Sequence, residues 1–131
     1  MNRMVDYRPE MKEAIISLMG GLPFKDKIWG WQFTGSPFER PFDPVVVVQG
    51  QRLVGFNGVM PIRATYNGKE IEALWSCDFY VSKDCRGQGL GKQIKEALIK
   101  KSPLIMSLGI SNAAAPVLLK MGWKSNHEVF N

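Results

Sequence analysis

Hydrophobic residues recur along this chain with two different periods, and the points where the period changes mark its elements. Between Pro9 and Met19, Met11, Ala14, Ile15 and Leu18 form an apolar stripe at helical spacing. Proline suits a first helical position, and Glu10 and Glu13 favour the positive end of the helix dipole. Gly20-Gly21 stops the segment. A second short helix is expected from Phe24 to Phe33, weakened by Gly30. Gly35, Pro37, Pro41 and Pro44 make Thr34 to Pro44 a loop.

The period then changes to two. Val45 to Gln49 reads as a strand, Gly50-Gln51 as a turn, and Arg52 to Tyr66 as a long strand. Asn57-Gly58 and Pro61 inside that strand predict a bulge or an edge. Asn67-Gly68 is a hairpin turn, and Glu70 to Val81 follows as strand. Helical period returns from Gln88 to Lys101, where Leu90, Ile94, Ala97 and Leu98 share one face with lysines opposite. Pro103 ends that helix, and Leu104 to Leu108 is a buried strand. Ala113 to Met121 is a further helix, capped at or just after Asn112, with Pro116 in its first turn and Gly122 at its end. Trp123 to Phe130 is read as a last strand, while a first strand is barely present in Met1 to Arg8. The order predicts an α/β chain with an α+β mixed sheet, a hairpin sheet continued by a crossover helix into a parallel strand.

Composition narrows the class. With 131 residues, 45% hydrophobic and 22% charged, the chain reads as one globular domain spanning 1–131. No run approaches the ~20 apolar residues a membrane span needs, and the N-terminus lacks the apolar stretch of a secretory signal. A cytoplasmic setting and no membrane partner are the expectation. Cys77 and Cys85 lie outside metal-ligand spacing and His127 is the one histidine, so no metal and no Ser-His-Asp triad is expected.

The net charge of +5 favours an anionic partner. Between Lys83 and Lys101 six basic residues stand against Asp84 and Glu96, so this segment holds +4 of the excess. Within it, a strand runs into a loop with glycines at 87, 89 and 91 that opens directly into the basic helix. Such a junction is an anion site: glycines admit close backbone approach, and unpaired N–H groups at the helix start carry roughly half a positive charge. Arg86 and Lys92 stand beside it. The Walker A loop finds no match, and the dinucleotide fingerprint would need its third glycine later than Gly91.

Arg86-Gly87-Gln88-Gly89-Leu90-Gly91 resembles the Arg/Gln-x-x-Gly-x-Gly/Ala motif of the GNAT (N-acetyltransferase) superfamily. Val81-Ser82-Lys83 resembles the family's Val-x-Pro strand end, and Asn112-Ala113-Ala114-Ala115 with Lys120-Met121-Gly122-Trp123 resembles its Asn-x-x-Ala…Gly-Phe segment. The likeness covers about Asp6 to Trp123 and implies the acyl-CoA N-acyltransferase fold, a mostly antiparallel central sheet flanked by about four helices. It further implies acetyl transfer from acetyl-CoA to a primary amine by direct attack in a ternary complex.

By that resemblance, the N–H groups of Gln88, Gly89, Leu90, Gly91 and Lys92, with Gly87, Arg86 and Asn112 beside them, would hold the CoA. Tyr80, Val81 and Ser82 would pair with the pantetheine amides. The Val81 N–H would polarise the thioester carbonyl. A base or a water relay must take the amine proton, with Asp78 and Glu72 the available carboxylates, and Tyr80, Ser82 or a water would replace the acid unless thiolate release needs none. The family's usual tyrosine falls at Leu118 or Leu119, so its general acid is missing. Trp29, Trp31 and Phe38 would line the acceptor groove. The missing acid also admits a non-catalytic CoA-binding sensor of the same fold, and the basic segment a small nucleic-acid-binding domain, disfavoured by the lack of any known nucleic-acid motif. A homodimer is compatible with the sequence, and the acceptor amine and acyl length are open.

Overall fold

The computed structural model describes residues 1–35, 40–107 and 114–124. Its elements run β1 (Asn2–Val5), α1 (Lys12–Leu18), α2 (Lys25–Trp29), β2 (Val45–Gln49), β3 (Arg52–Tyr66), β4 (Lys69–Val81), α3 (Leu90–Ile99), β5 (Ile105–Ser107) and α4 (Ala115–Lys120). Short 3-10 turns at Pro9–Met11 and Lys83–Cys85 lead toward α1 and α3. The strands form one sheet in the order β1-β2-β3-β4-β5. The first four are antiparallel, and β5 joins β4 in parallel after the α3 crossover.

Alternation along the strands builds a core on each face. On one face Ile15 and Ile16 of α1, with Met19 just after it, meet Trp29, Phe33, Val46 and Phe56. On the other, Leu90, Ile94 and Leu98 of α3 cover Val45, Val47, Val54, Val59 and Leu74. Burying a side chain of this size contributes about 1.5–3 kcal/mol. Gly55 is what lets α3 lie so close, because a Cβ there would meet the Ile94 side chain at 2.8 Å.

Several expectations shift at their ends. The N-terminal strand is fully formed, with Asn2 to Val5 in register against Gln49 to Val46. The second helix does not stop at Gly30 but loosens into a π-helical turn, Gly30–Thr34. Asn67 and Gly68 both take positive φ (51° and 76°), which fits a tight hairpin. Both readings of the long strand hold. Register shifts between Asn57 and Gly58, and Pro61 lies beyond the end of β2, where its missing N–H leaves no ladder bond unmade. The extra residue is on the partner strand: Asp78, at φ 60°. The last helix is trimmed to Ala115–Lys120 and ends at Gly122 (φ 92°). Trp123 and Lys124 are not strand, and the rest of the expected final strand lies outside the described residues.

Candidate functional site

Three features meet where β4 ends. The first is the start of α3. Gly87 and Gly89 hold φ of 78° and 79°, a region an L side chain enters only at a cost, and a Cβ on either would point into open space. Gly89 is the N-cap and no side chain caps the helix. The Gln93 N–H donates to the Gly89 carbonyl, so the preceding N–H groups of Leu90, Gly91 and Lys92 have no acceptor within the helix. The loop is braced from behind. Arg52 grips Asp84 at 2.6 and 3.2 Å, and the Ser82 hydroxyl donates to the same carboxylate. Arg52 and Ser82 together hold the exposed Asp84 carboxyl down at about 2. Arg86 donates its Nε–H to the Val81 carbonyl at 3.0 Å, tying the loop to the strand end.

The second feature is a fork. β5 pairs with β4 only from Leu74 to Ser76, and among the described residues nothing pairs with residues 77–81 on that side. The Ser82 N–H donates to the Val54 carbonyl at 2.8 Å. Alternation of antiparallel hydrogen bonding therefore turns the N–H groups of Val81 and Phe79 away from β3 and into the fork. Phe79 escapes notice in the sequence because backbone direction leaves no mark on residue type.

The third is the bulge. Lys25 is only 4% exposed and its Nζ lies 2.8 Å from Asp78 Oδ2 and 3.0 Å from Gln32 Oε1. Gln32 Nε2 closes the triangle on Asp78 Oδ2 at 3.0 Å. Asp78 is thus held by two elements of the α1/α2 face.

The anticipated residues divide accordingly. Tyr80, Val81, Ser82 and residues 86–92 are gathered at the strand end and loop. Glu72 is exposed and nine residues before Val81 on an extended strand, on the order of 25 Å away or more. Trp29, 3% exposed, belongs to the aromatic core with Phe33 and Phe42, while Trp31 is 73% exposed, so the two share no groove. Phe38 and Asn112 lie outside the described residues. A cleft of about 710 Å³ opens instead between Leu18, Met19 and Gly20 and the β4 end at Tyr80–Ser82, lined by Arg52, Lys83 and Arg86 and, among the described residues, by no carboxylate. Leu118 is buried and Leu119 exposed, and neither supplies a proton. Burial pushes the Cys77 thiol up to about 12, and Cys85 is buried in the α3 core, so both pack as small apolar groups.

The basic helix also differs from expectation. Lys95 does not stand opposite the apolar stripe but is 3% exposed, because it neighbours Ile94 and its stem runs inward. Lys101 pairs with Asp43 at 2.9 Å. The segment is therefore no continuous charged face for a polyanion.

The model of the acetyltransferase (GNAT) domain matches residues 41–125. The chain belongs to the GNAT acetyltransferase family. Solved structures agree on the fold. A predicted acetyltransferase from Clostridium acetobutylicum, solved with acetyl-CoA, superposes at TM-score 0.83 with 13% identity, over 100% of this chain and 95% of that one. A GCN5-related N-acetyltransferase from Ralstonia eutropha gives 0.76 with 14% identity, over 100% and 97%. Glucosamine-6-phosphate N-acetyltransferase from Arabidopsis thaliana gives 0.72 with 14%, over 100% and 97%. No curated protein matches the sequence.

Proposed function

We propose that the protein, read as one domain over 1–131, transfers an acetyl or related acyl group from acetyl-CoA to a primary amine by direct attack in a ternary complex. The observation that carries this reading is the junction of an uncapped, glycine-lined helix start with an unpaired β4 edge. A pyrophosphate suits the N–H groups of residues 88–92, with Arg86 and Lys92 supplying full charge nearby. Pantetheine amides suit the open edge of residues 79–82. The thioester, when bound, supplies the activated carbonyl. The Val81 N–H, with that of Phe79 facing the same way, stabilises the oxyanion formed on attack, an effect commonly worth about 3 kcal/mol per donor.

The amine has to lose a proton. Two carboxylates flank Val81 in the chain, and both are engaged: Asp78 Oδ2 by Lys25 and Gln32, and Asp84 by Arg52 and Ser82. We assign proton removal to water in the cleft beside Tyr80 and Ser82. A thiol with a pKa near ~8.5 leaves as thiolate at neutral pH without a dedicated acid, which accommodates Leu118 and Leu119. The acceptor enters by the cleft between α1 and the β4 end. With Arg52 neutralised by Asp84, the cations Lys83 and Arg86 remain among the described lining residues, which favours an amine that carries an anionic or neutral body over a polyamine.

Leu118 and Leu119 also motivate the second reading, a CoA-binding sensor without turnover. Free thiol release from acetyl-CoA, followed across a panel of primary amines, separates the two. Saturable release with at least one amine is expected. Tight acetyl-CoA binding with no release above hydrolysis would leave the sensor in its place.

A further inference from the structure

The α3 face of the fork holds a buried cation that the proposed chemistry does not use. Lys95 Nζ donates to Asn57 Oδ1 at 2.7 Å. Asn57, itself buried, donates from Nδ2 to Ser76 Oγ at 2.9 Å and to the Gly58 carbonyl at 3.0 Å. The ammonium sits 4.2 Å from the Phe79 ring centroid and 5.8 Å from that of Trp123. Among the described residues no carboxylate pairs with it. An ammonium has three donors, and a neutral amide satisfies one of them. Burial alone pulls its pKa down to about 8.

This group lies at a functional place in the fold. Ser76 is the last β4 residue paired with β5, so the amine is anchored where the two strands part. Opposite Ser76 in that pairing is Ser107, on the same face, whose Oγ is buried and has no hydrogen-bond partner among the described residues. Phe79 joins the two halves: its ring lies under the ammonium and its N–H faces the fork. A buried positive charge with no counter-charge among the described residues is costly unless an anion completes it, and so is an unpaired buried hydroxyl on the same face.

Resting on the acyltransferase reading above, we infer that Lys95, with Ser107 on the same face of the sheet, recognises a carboxylate on the donor's acyl chain. The preferred donor is then the CoA thioester of a short dicarboxylic acid. Lys95 is a specificity residue on this account, and the anion it binds arrives with each donor molecule and leaves with each product.

Calorimetric titrations of CoA, acetyl-CoA, malonyl-CoA and succinyl-CoA, without any acceptor, into the wild type and Lys95→Met test this. CoA has no acyl chain and serves as the reference in each protein. The wild type is expected to bind one of the two carboxylate-bearing thioesters at least about tenfold tighter than acetyl-CoA, and Lys95→Met to lose that gap. Equal affinity of the wild type for all three thioesters overturns the inference, as does a gap that survives Lys95→Met. If the wild type binds no CoA species at all, including CoA itself, the parent reading fails and takes this inference with it.

Discussion

Two lysines are buried on opposite faces of one short stretch of β4, and they are satisfied in opposite ways. Lys25, from the α2 side, meets a carboxylate and an amide in a closed triangle at the bulge. Lys95, from the α3 side, meets among the described residues only the neutral Asn57 and two aromatic rings. A buried cation with its counter-ion in place is part of the scaffold. Here it holds Asp78, at a positive φ, in the bulge that lies just past the last β4 residue paired with β5. A buried cation without one is a cost of folding that a ligand can offset. The contrast separates what shapes the donor site from what selects the donor.

Breaking the paired side is expected to have the largest effect. Lys25→Met leaves the Asp78 carboxylate poorly solvated and unpaired, and should cost about 3–5 kcal/mol, read as a fall in Tm of roughly 10 °C or more. Adding Asp78→Asn should recover part of that loss, with a coupling energy of about 1–3 kcal/mol in the double-mutant cycle. A cost for Lys25→Met below about 0.5 kcal/mol would erase the distinction between the two lysines.

The unpaired side should declare itself through pH. The folded-state value of about 8 for Lys95 lies below the ordinary 10.5, so between these limits the unfolded chain binds a proton that the folded chain does not. Stability of the wild type relative to Lys95→Met should therefore rise as pH increases from about 8 to 10.5, by on the order of 3 kcal/mol. Below pH 8 the difference should be flat. Parallel urea titrations of both proteins across this range supply the comparison, and curves that stay parallel throughout would mean that Lys95 is not desolvated.

A smaller effect refines the scaffold half. Gln32→Ala removes the neutral arm of the triangle while leaving the ion pair, and should cost about 1 kcal/mol in a denaturant midpoint. A loss as large as that of Lys25→Met would move the weight from the charge pair to the amide.

The sequence made the scaffold legible where pattern and geometry coincide. Leu90, Ile94 and Leu98 declare α3, Asn67-Gly68 declares the hairpin, and Gly87 and Gly89 mark the anion loop, since each rests on a residue type that its backbone conformation favours. The bulge was half legible: Asn57-Gly58 pointed to it, but the extra residue is Asp78, and a non-glycine at positive φ has no signal of its own. Trp29 and Trp31 gave no clue which would be core, because two residues apart on a helix they face different ways. Both buried lysines were hidden for a common reason. Lysine is read as surface unless a partner is known, and the partners Asp78 and Asn57 are 53 and 38 residues away.

The acyltransferase reading and the role of Lys95 in donor choice both require the helix start beside the β4 edge to be a CoA site. Calorimetric titration of acetyl-CoA into the wild type and Gly89→Val addresses that directly, with cooperative thermal unfolding recorded for both. The wild type should bind one equivalent. Gly89→Val, which places a β-branched side chain where φ is 79° and over the phosphate-facing N–H groups, should bind at least about thirtyfold more weakly while still unfolding cooperatively. A wild type that does not bind, or two proteins that bind alike, would contradict the account.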